Sequence, residues 1–173
     1  MPSAHEDEFD AFFRQEISLL VRHLVVQGFG RQAAKDAAQE AMIELHEQWS
    51  NVRNPAAWVR IAARRRALRG REQEVRHDVV NVMAAVPCPA IDLRTPEEEV
   101  TRKQERQEVL GLLGALPRVQ QQIMAWTWDG AKPAEIALRL GIPADTVRSN
   151  LRHARNRLKQ LWAESREEES DDG

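Results

Sequence analysis

The sequence predicts an all-α protein: two small helical domains joined by a proline-containing linker, the second a helix-turn-helix. Three observations predict it. Ala, Arg, Glu, Leu and Gln, all good helix formers, dominate a chain that has no Tyr and only 5% aromatic residues. Apolar residues recur at three- and four-residue steps, the period of one buried helical face. That period is lost for long only between about His77 and Thr95, where PCPAIDLRTP (87–96) places three prolines in ten residues. A length of 173 residues sits at the upper edge of one ordinary domain or makes two small ones. The expected division is 1–76, a linker over 77–95, a second domain over 96–163 and an acidic tail over 164–173.

The first helix is expected from about Glu6 to Gln27, with Phe9, Phe12, Phe13, Ile17, Leu20 and Leu24 inward and Gly28 and Gly30 ending it. A second runs from about Gln32 to Trp49. It turns Ala34, Ala38, Ala41, Leu45 and Trp49 inward, and Asp36, Glu40, Glu44 and Glu47 outward. SNVRNP (50–55) is a turn in which Ser50 or Asn54 can cap a third helix, with Pro55 at an early position. After the linker, Thr95, Pro96 and Glu98 have the form of a capping box. Val100, Val109, Leu112, Leu113 and Leu116 then supply apolar contacts. Pro117 opens another helix that breaks at Asp129-Gly130. Trp126 and Trp128 are two residues apart and cannot share one helical face, so at least one should pack the core.

Composition excludes whole classes of function. Cys88 is the only cysteine, so an internal disulfide and a thiolate cluster are out; it reads as an ordinary linker thiol. His5, His23, His46, His77 and His153 have no paired metal-ligand spacing, and no metal or other cofactor is expected. No nucleophile motif, phosphate loop or carboxylate cluster of an enzyme is present. No apolar run reaches the ~18 residues of a membrane span, and HEDEFD (5–10) is the wrong chemistry for a signal peptide. A cytoplasmic protein without membrane insertion is the expectation.

The net charge of −2 averages unequal segments. Residues 1–50 hold nine acids against four bases, and 53–76 hold eight arginines against Glu72 and Glu74. Residues 132–162 hold seven bases against Glu135 and Asp145, and the tail from Glu164 holds six acids against one arginine. Two basic islands in an acidic frame are two candidate nucleic-acid footprints, with the tail read as a solubilising terminus.

The second island is the sharper. A short helix (Pro133 to Leu140), a turn at Gly141 and a longer helix (Pro143 to about Trp162) outline a DNA-binding helix-turn-helix. Val147, Leu151, Ala154, Leu158 and Leu161 form one buried stripe of the longer helix. At 100° per residue, Asp145, Ser149, Arg152 and Asn156 point the opposite way, with Arg148 and Lys159 on a flank. A groove-reading helix needs this layout of donors for base edges and cations for phosphates.

Ala115 to Leu161 resembles region 4 of RNA polymerase sigma factors, most tellingly in ALP (115–117), EIALRLG (135–141) and TVRSNLRHARNRL (146–158). Pro143 stands where that family often has a capping Ser, and Gln121 where it often has Arg. DAAQEAMIELHEQW (36–49) with PAAWVRIAARRRALR (55–69) is similar to sigma region 2, with Arg65 and Arg69 at positions where Asn and Asp are usual. With nothing like a region 1.1 or a full region 3, the compact extracytoplasmic-function type is the match. The resemblance implies that Asp36, Gln39 and Glu40 dock on core RNA polymerase. It further implies that the third helix binds and melts the −10 element, and that Asp145, Arg148, Ser149, Arg152, Asn156 and Lys159 meet the −35 element of promoter DNA. An anti-sigma factor is implied as a further partner.

On the third helix, spacing places Arg60, Arg64 and Arg71 on one side as a phosphate-neutralising stripe, with Trp58, Ile61, Ala62 and Leu68 on the other. Trp58 reads as core packing. Asn51 and Asn54 of the preceding loop can hydrogen-bond an extruded base. Arg65 and Arg69 lean toward the apolar side and are expected to pair with acids of the second helix. The competing reading is a helix-turn-helix regulator that binds DNA without joining polymerase. The third, an enzyme, lacks any supporting motif.

Overall fold

The computed structural model describes residues 4–77 and 107–171, and all regular structure among them is helical. Linker residues 78–95, Cys88, Val100 and the capping box at Thr95 to Glu98 lie outside the described residues. The chain divides into two compact units. One carries α1 (Ala4–Val26), α2 (Arg31–Glu47), a single 3-10 turn (Trp49–Asn51) and α3 (Pro55–His77). The other carries α4 (107–114), α5 (Arg118–Trp128), α6 (Pro133–Leu140) and α7 (Ala144–Asp171).

The core of the first unit follows the apolar stripes of its helices. Leu20 and Leu24 of α1 and Ala34, Ala38, Ala41 and Leu45 of α2 are fully buried, as their spacing requires. Phe9, Phe12 and Ile17 pack against this core while Phe13 stays 36% exposed. Phe9 meets Trp49 edge-on at 5.3 Å and His46 at 4.6 Å between ring centroids, fastening the start of α1 to the end of α2. Asn54 caps α3, its Oδ1 accepting the Ala57 N–H at 3.0 Å.

The face that α3 presents to its neighbours differs only in part from the expected one, since Trp58 and Leu68 do pack against the core. Val59, Ala62, Ala63 and Ala67 are buried, whereas Ile61 is 38% exposed. The inner face is thus a seam of small residues, and it carries two arginines inward. Arg66 lies against α2, its Nη1 donating to Glu40 at 2.7 Å and its Nη2 to Glu44 at 2.6 Å. Those hydrogen bonds, Glu44 first and Glu40 second, raise the guanidinium pKa above its already high ordinary value. Arg60 is only 6% exposed and pairs with Glu16 of α1 at 2.9 Å while donating to the Ala56 carbonyl at 2.7 Å. Arg65 and Arg69, expected to pair with the acids of α2, are exposed instead, and Arg66 takes that role.

In the second unit, Leu113, Leu116, Ile123, Trp126, Ile136, Val147, Leu151 and Ala154 are buried. Trp126 is in the core, with the Arg139 guanidinium 4.4 Å over its ring, while Trp128 is 50% exposed, the split their spacing demands. Gln121 closes the turn between α4 and α5. Its Nε2 donates to the carbonyls of Gly114 (3.0 Å) and Leu116 (2.9 Å), which have no intrahelical donor. Gly141 ends α6 at φ 67, a left-handed conformation that reverses the chain within three residues. The helix after it runs to Asp171, so residues 164–171 of the acidic tail continue α7 rather than trailing from it.

Two stability measurements test these assignments. Arg60→Ala leaves Glu16 without its buried cation and should lower the unfolding free energy by about 3 kcal/mol in urea titrations. Arg60→Met with Glu16→Leu, which removes both charges, should recover most of that loss. Gly141→Ala meets no atom within 4 Å of the added methyl, so its cost is backbone strain alone, about 1–2 kcal/mol.

Candidate nucleic-acid interface

The helix-turn-helix is built by α6, the turn at Gly141 and α7. The Lys132 N–H donates to Glu135 Oε2 at 2.8 Å, fixing the start of α6 with Pro133 in its first turn. Pro143 precedes α7, and its carbonyl accepts the Val147 N–H at 3.1 Å. The helix therefore starts without a side-chain cap from Pro143, and Asp145 supplies negative charge to its positive end.

Along α7, Val147, Leu151 and Ala154 are buried and Leu158 and Leu161 half-buried. This seam is narrow, and most of the circumference is open. Asp145, Arg148, Arg152, Asn156 and Lys159 are exposed and Ser149 half-buried, so the six expected residues share one solvent-facing surface. Asp145 and Arg148 are ion-paired at 2.5 Å with side chains 90% and 58% exposed. A pair so open to water is worth at most about 1 kcal/mol and can be exchanged for a DNA partner.

Sequence reasoning missed Arg155 and Arg157, both exposed on flanks of the same helix and neither ion-paired among the described residues. The signal was present in the run ARNRL (154–158), whose arginines lie off the line through Asp145, Ser149, Arg152 and Asn156. Together they widen the cationic surface beyond a single stripe.

In the first unit Asp36, Gln39 and Glu40 are all exposed on α2. They are not equally free: Glu40 holds Arg66, and Asp36 accepts a hydrogen bond from Gln32 at 2.9 Å. Asn51 is exposed in the 3-10 turn, while Asn54 has its Oδ1 committed to the α3 cap. The expected stripe of Arg60, Arg64 and Arg71 does not form an open surface. Arg60 is buried against Glu16, Arg64 is half-buried, and Arg71 lies 4.4 Å over the Phe29 ring. The correction has a physical cause: the alanine seam rotates α3 so that this side is partly covered. Trp58 is half-buried against the core, as expected.

Among the described residues no group of three or more His, Cys, Asp or Glu side chains could hold a metal ion, and no helix is long and apolar enough to cross a membrane. The second unit also has an apolar groove of about 370 Å³ between Val109, Leu112, Met124, Leu158 and Trp162, with Lys159 on its rim. Its chemistry is that of protein rather than DNA contact.

Comparison with known proteins bears on the helix-turn-helix segment and on the fold. Residues 106–158 match the family described as sigma-70, region 4. No curated protein matches the chain. Among solved structures, the sigma factor RpoE in complex with the anti-sigma factor NepR, from Bartonella quintana, is similar in fold with a TM-score of 0.69. That likeness covers 90% of this chain and 97% of the other at 20% identity, and it extends to the part of the chain that the family match does not reach. The helix-turn-helix segment thus lies within the stretch that matches sigma-70 region 4, and the chain shares the fold of that solved sigma factor.

Proposed function

We propose that the protein is a sigma factor of the extracytoplasmic-function type. It binds core RNA polymerase through the exposed face of α2 and directs promoter-specific initiation in the cytoplasm. The −35 element is met by Asp145, Arg148, Ser149, Arg152, Asn156 and Lys159, and the −10 element by the first unit, with Asn51 and Asn54 beside it. The observation that carries this reading is the open cationic face of α7, set on a turn of the geometry a groove-reading helix requires.

The chemistry of the two units is complementary. The α7 face offers guanidinium, hydroxyl and amide groups suited to base edges and phosphates. The α2 face is acidic and repels DNA, so a protein partner suits it better. An anti-sigma factor, the class of partner bound to RpoE in the solved complex, would silence this protein by covering the same α2 face. Run-off transcription with core polymerase, with and without the protein, tests the reading as a whole. DNA binding without polymerase-dependent transcripts would instead make the chain a regulator that does not join polymerase.

Asp36→Lys should abolish co-elution with core polymerase while far-UV circular dichroism stays unchanged. It is a cleaner probe than Glu40→Lys, which also removes a partner of Arg66. Arg152→Ala should relax preference at one or two positions of the −35 element, at about 1–3 kcal/mol of discrimination. Lys159→Ala should weaken binding to all sequences alike, read from competition between matched and scrambled duplexes. Sequence-blind losses for both would reduce α7 to a phosphate clamp.

A further inference from the structure

We propose that His153 is a further phosphate contact of α7, one whose charge follows pH, so that duplex binding takes up a proton. The inference rests on reading α7 as the helix that enters the major groove. It assigns a residue outside the six expected there.

The two flanks of that helix are unequal. Asp145, Ser149, Arg152 and Asn156 form the central line of the open face. At 100° per residue, Arg148, Arg155 and Lys159 lie roughly 50–90° to one side of this line. Thr146, His153, Arg157 and Gln160 lie roughly 50–110° to the other. All of these flanking residues are exposed. A helix seated in the major groove has a phosphate backbone along each flank. One flank meets it with three permanent cations, the other with Arg157 and an imidazole.

Imidazole is the side chain whose charge changes between pH 5 and 8, and its surroundings decide which form is favoured. In the free protein those surroundings give the cation no support. One turn away on α7 stand Ser149, Asn150, Asn156 and Arg157, with no carboxylate among them. The nearest acids on the helix, Asp145 and Glu164, are roughly 12 and 16 Å away along its axis. That exceeds a Debye length of about 8–10 Å, and Asp145 is held by Arg148. The elements packed against α7 carry Glu108 (α4), Arg118 (α5), Glu135 and Arg139 (α6), with Asp129 and Lys132 in the turns between. Glu135 accepts the Lys132 N–H, and Arg139 lies over the Trp126 ring. Among the described residues His153 has no ion pair, hydrogen bond or ring contact with any of them.

A solvated histidine that takes no part in binding is the plain alternative, and its position argues against it. Between Thr146 and Gln160 only Arg157 and His153 can bring positive charge to this flank. Arg157, four residues on, repels a protonated imidazole in the free protein. A phosphate lying along the flank attracts both groups, and an imidazolium N–H donates to its oxygen in a charge-assisted hydrogen bond. Binding thus favours the protonated form, so affinity is gained as pH falls and lost as it rises.

The test uses the full chain and a fluorescein-labelled duplex of mixed sequence, because a phosphate contact is blind to sequence. Dissociation constants are measured by anisotropy across a salt series, at about pH 5.5 and about pH 8. Each phosphate neutralised on a duplex contributes about 0.9 to the slope of log affinity against log salt. The parent slope should therefore be steeper by about 0.9 at the lower pH. His153→Gln should show the shallower slope at both pH values, and His153→Lys the steeper one at both. The other four histidines belong to the first unit, and their titration cancels when the Gln variant is compared with the parent. A parent slope that does not change with pH, a change that survives in His153→Gln, or no duplex binding by the parent would overturn the proposal. So would a His153→Lys variant that binds no better than His153→Gln. Failure of the sigma-factor reading looks different: the parent supports no run-off transcript with core polymerase, yet His153→Gln still removes the pH-dependent part of the slope.

Discussion

The rotation of α3 about its own axis is set by alanine, and most of the first unit's chemistry is a consequence of that setting. Ala34, Ala37, Ala38 and Ala41 of α2 and Ala62, Ala63 and Ala67 of α3 are all buried. Side chains of one carbon leave no volume to fill a gap, so the two helices must approach closely, and close packing tolerates few rotations. Once α3 is set this way, its arginines are sorted by position. Arg66 points at the acids of α2, Arg60 at Glu16, Arg71 at Phe29, and Arg65 and Arg69 at solvent. Buried ion pairs add little net stability, but they penalise error heavily. A turn of α3 that moved Arg60 away from Glu16 would strand both charges.

How much of this was legible in the sequence depends on how much contrast each helix carries. The inward faces of α1 and α7 could be read directly, because Leu20, Leu24, Val147 and Leu151 differ sharply from their polar neighbours. The two tryptophans of α5 separated as their spacing required. On α3 the same logic placed Trp58, Ala62 and Leu68 against the core, where they are found, but misplaced Ile61 and Arg60. Alanine is nearly neutral in hydropathy, so the rest of the seam was faint, while Ile61 drew the expected face too far toward solvent. An arginine that pairs inward looks, in sequence, like one that faces water. Which of Arg65, Arg66 and Arg69 meets Glu40 depends on the register between α2 and α3, and that is a tertiary quantity. The end of α7 was misread for another reason: a run of acids reads as a solvated terminus, yet Glu and Arg are strong helix formers and the helix continues through them.

The two basic segments, alike in net charge, differ in how much of it reaches solvent. In the first unit Glu16, Glu40 and Glu44 neutralise arginines of α3, leaving few cations unpaired. Among the described residues of α7, Asp145 opposes Arg148, and Arg152, Arg155, Arg157 and Lys159 stand open. Screening by salt acts on exposed charge and spares paired or buried charge. If α7 meets duplex DNA as proposed, its open charge should dominate the salt dependence of the intact protein.

Several candidate site residues hold a second position in the free protein. Glu40 grips Arg66, Asp145 grips Arg148, and Asn54 caps α3. The magnitudes decide whether these attachments obstruct function. An exposed ion pair is worth at most about 1 kcal/mol, whereas a well-formed bidentate contact to a base discriminates by about 1–3 kcal/mol. Arg148 can thus leave Asp145 for DNA at little cost, and the pairing keeps its long side chain ordered until then. Asn54 is different, because losing a helix cap costs typically about 1 kcal/mol and disturbs the start of α3 itself. Its Oδ1 stays with the Ala57 N–H, so Asn54 can offer a base only its amide hydrogens. Asn51, with no such attachment, has both amide groups available. The loop therefore presents one donor-only amide beside one that both donates and accepts. An extruded base that both amides engage must supply acceptors on the side nearer Asn54.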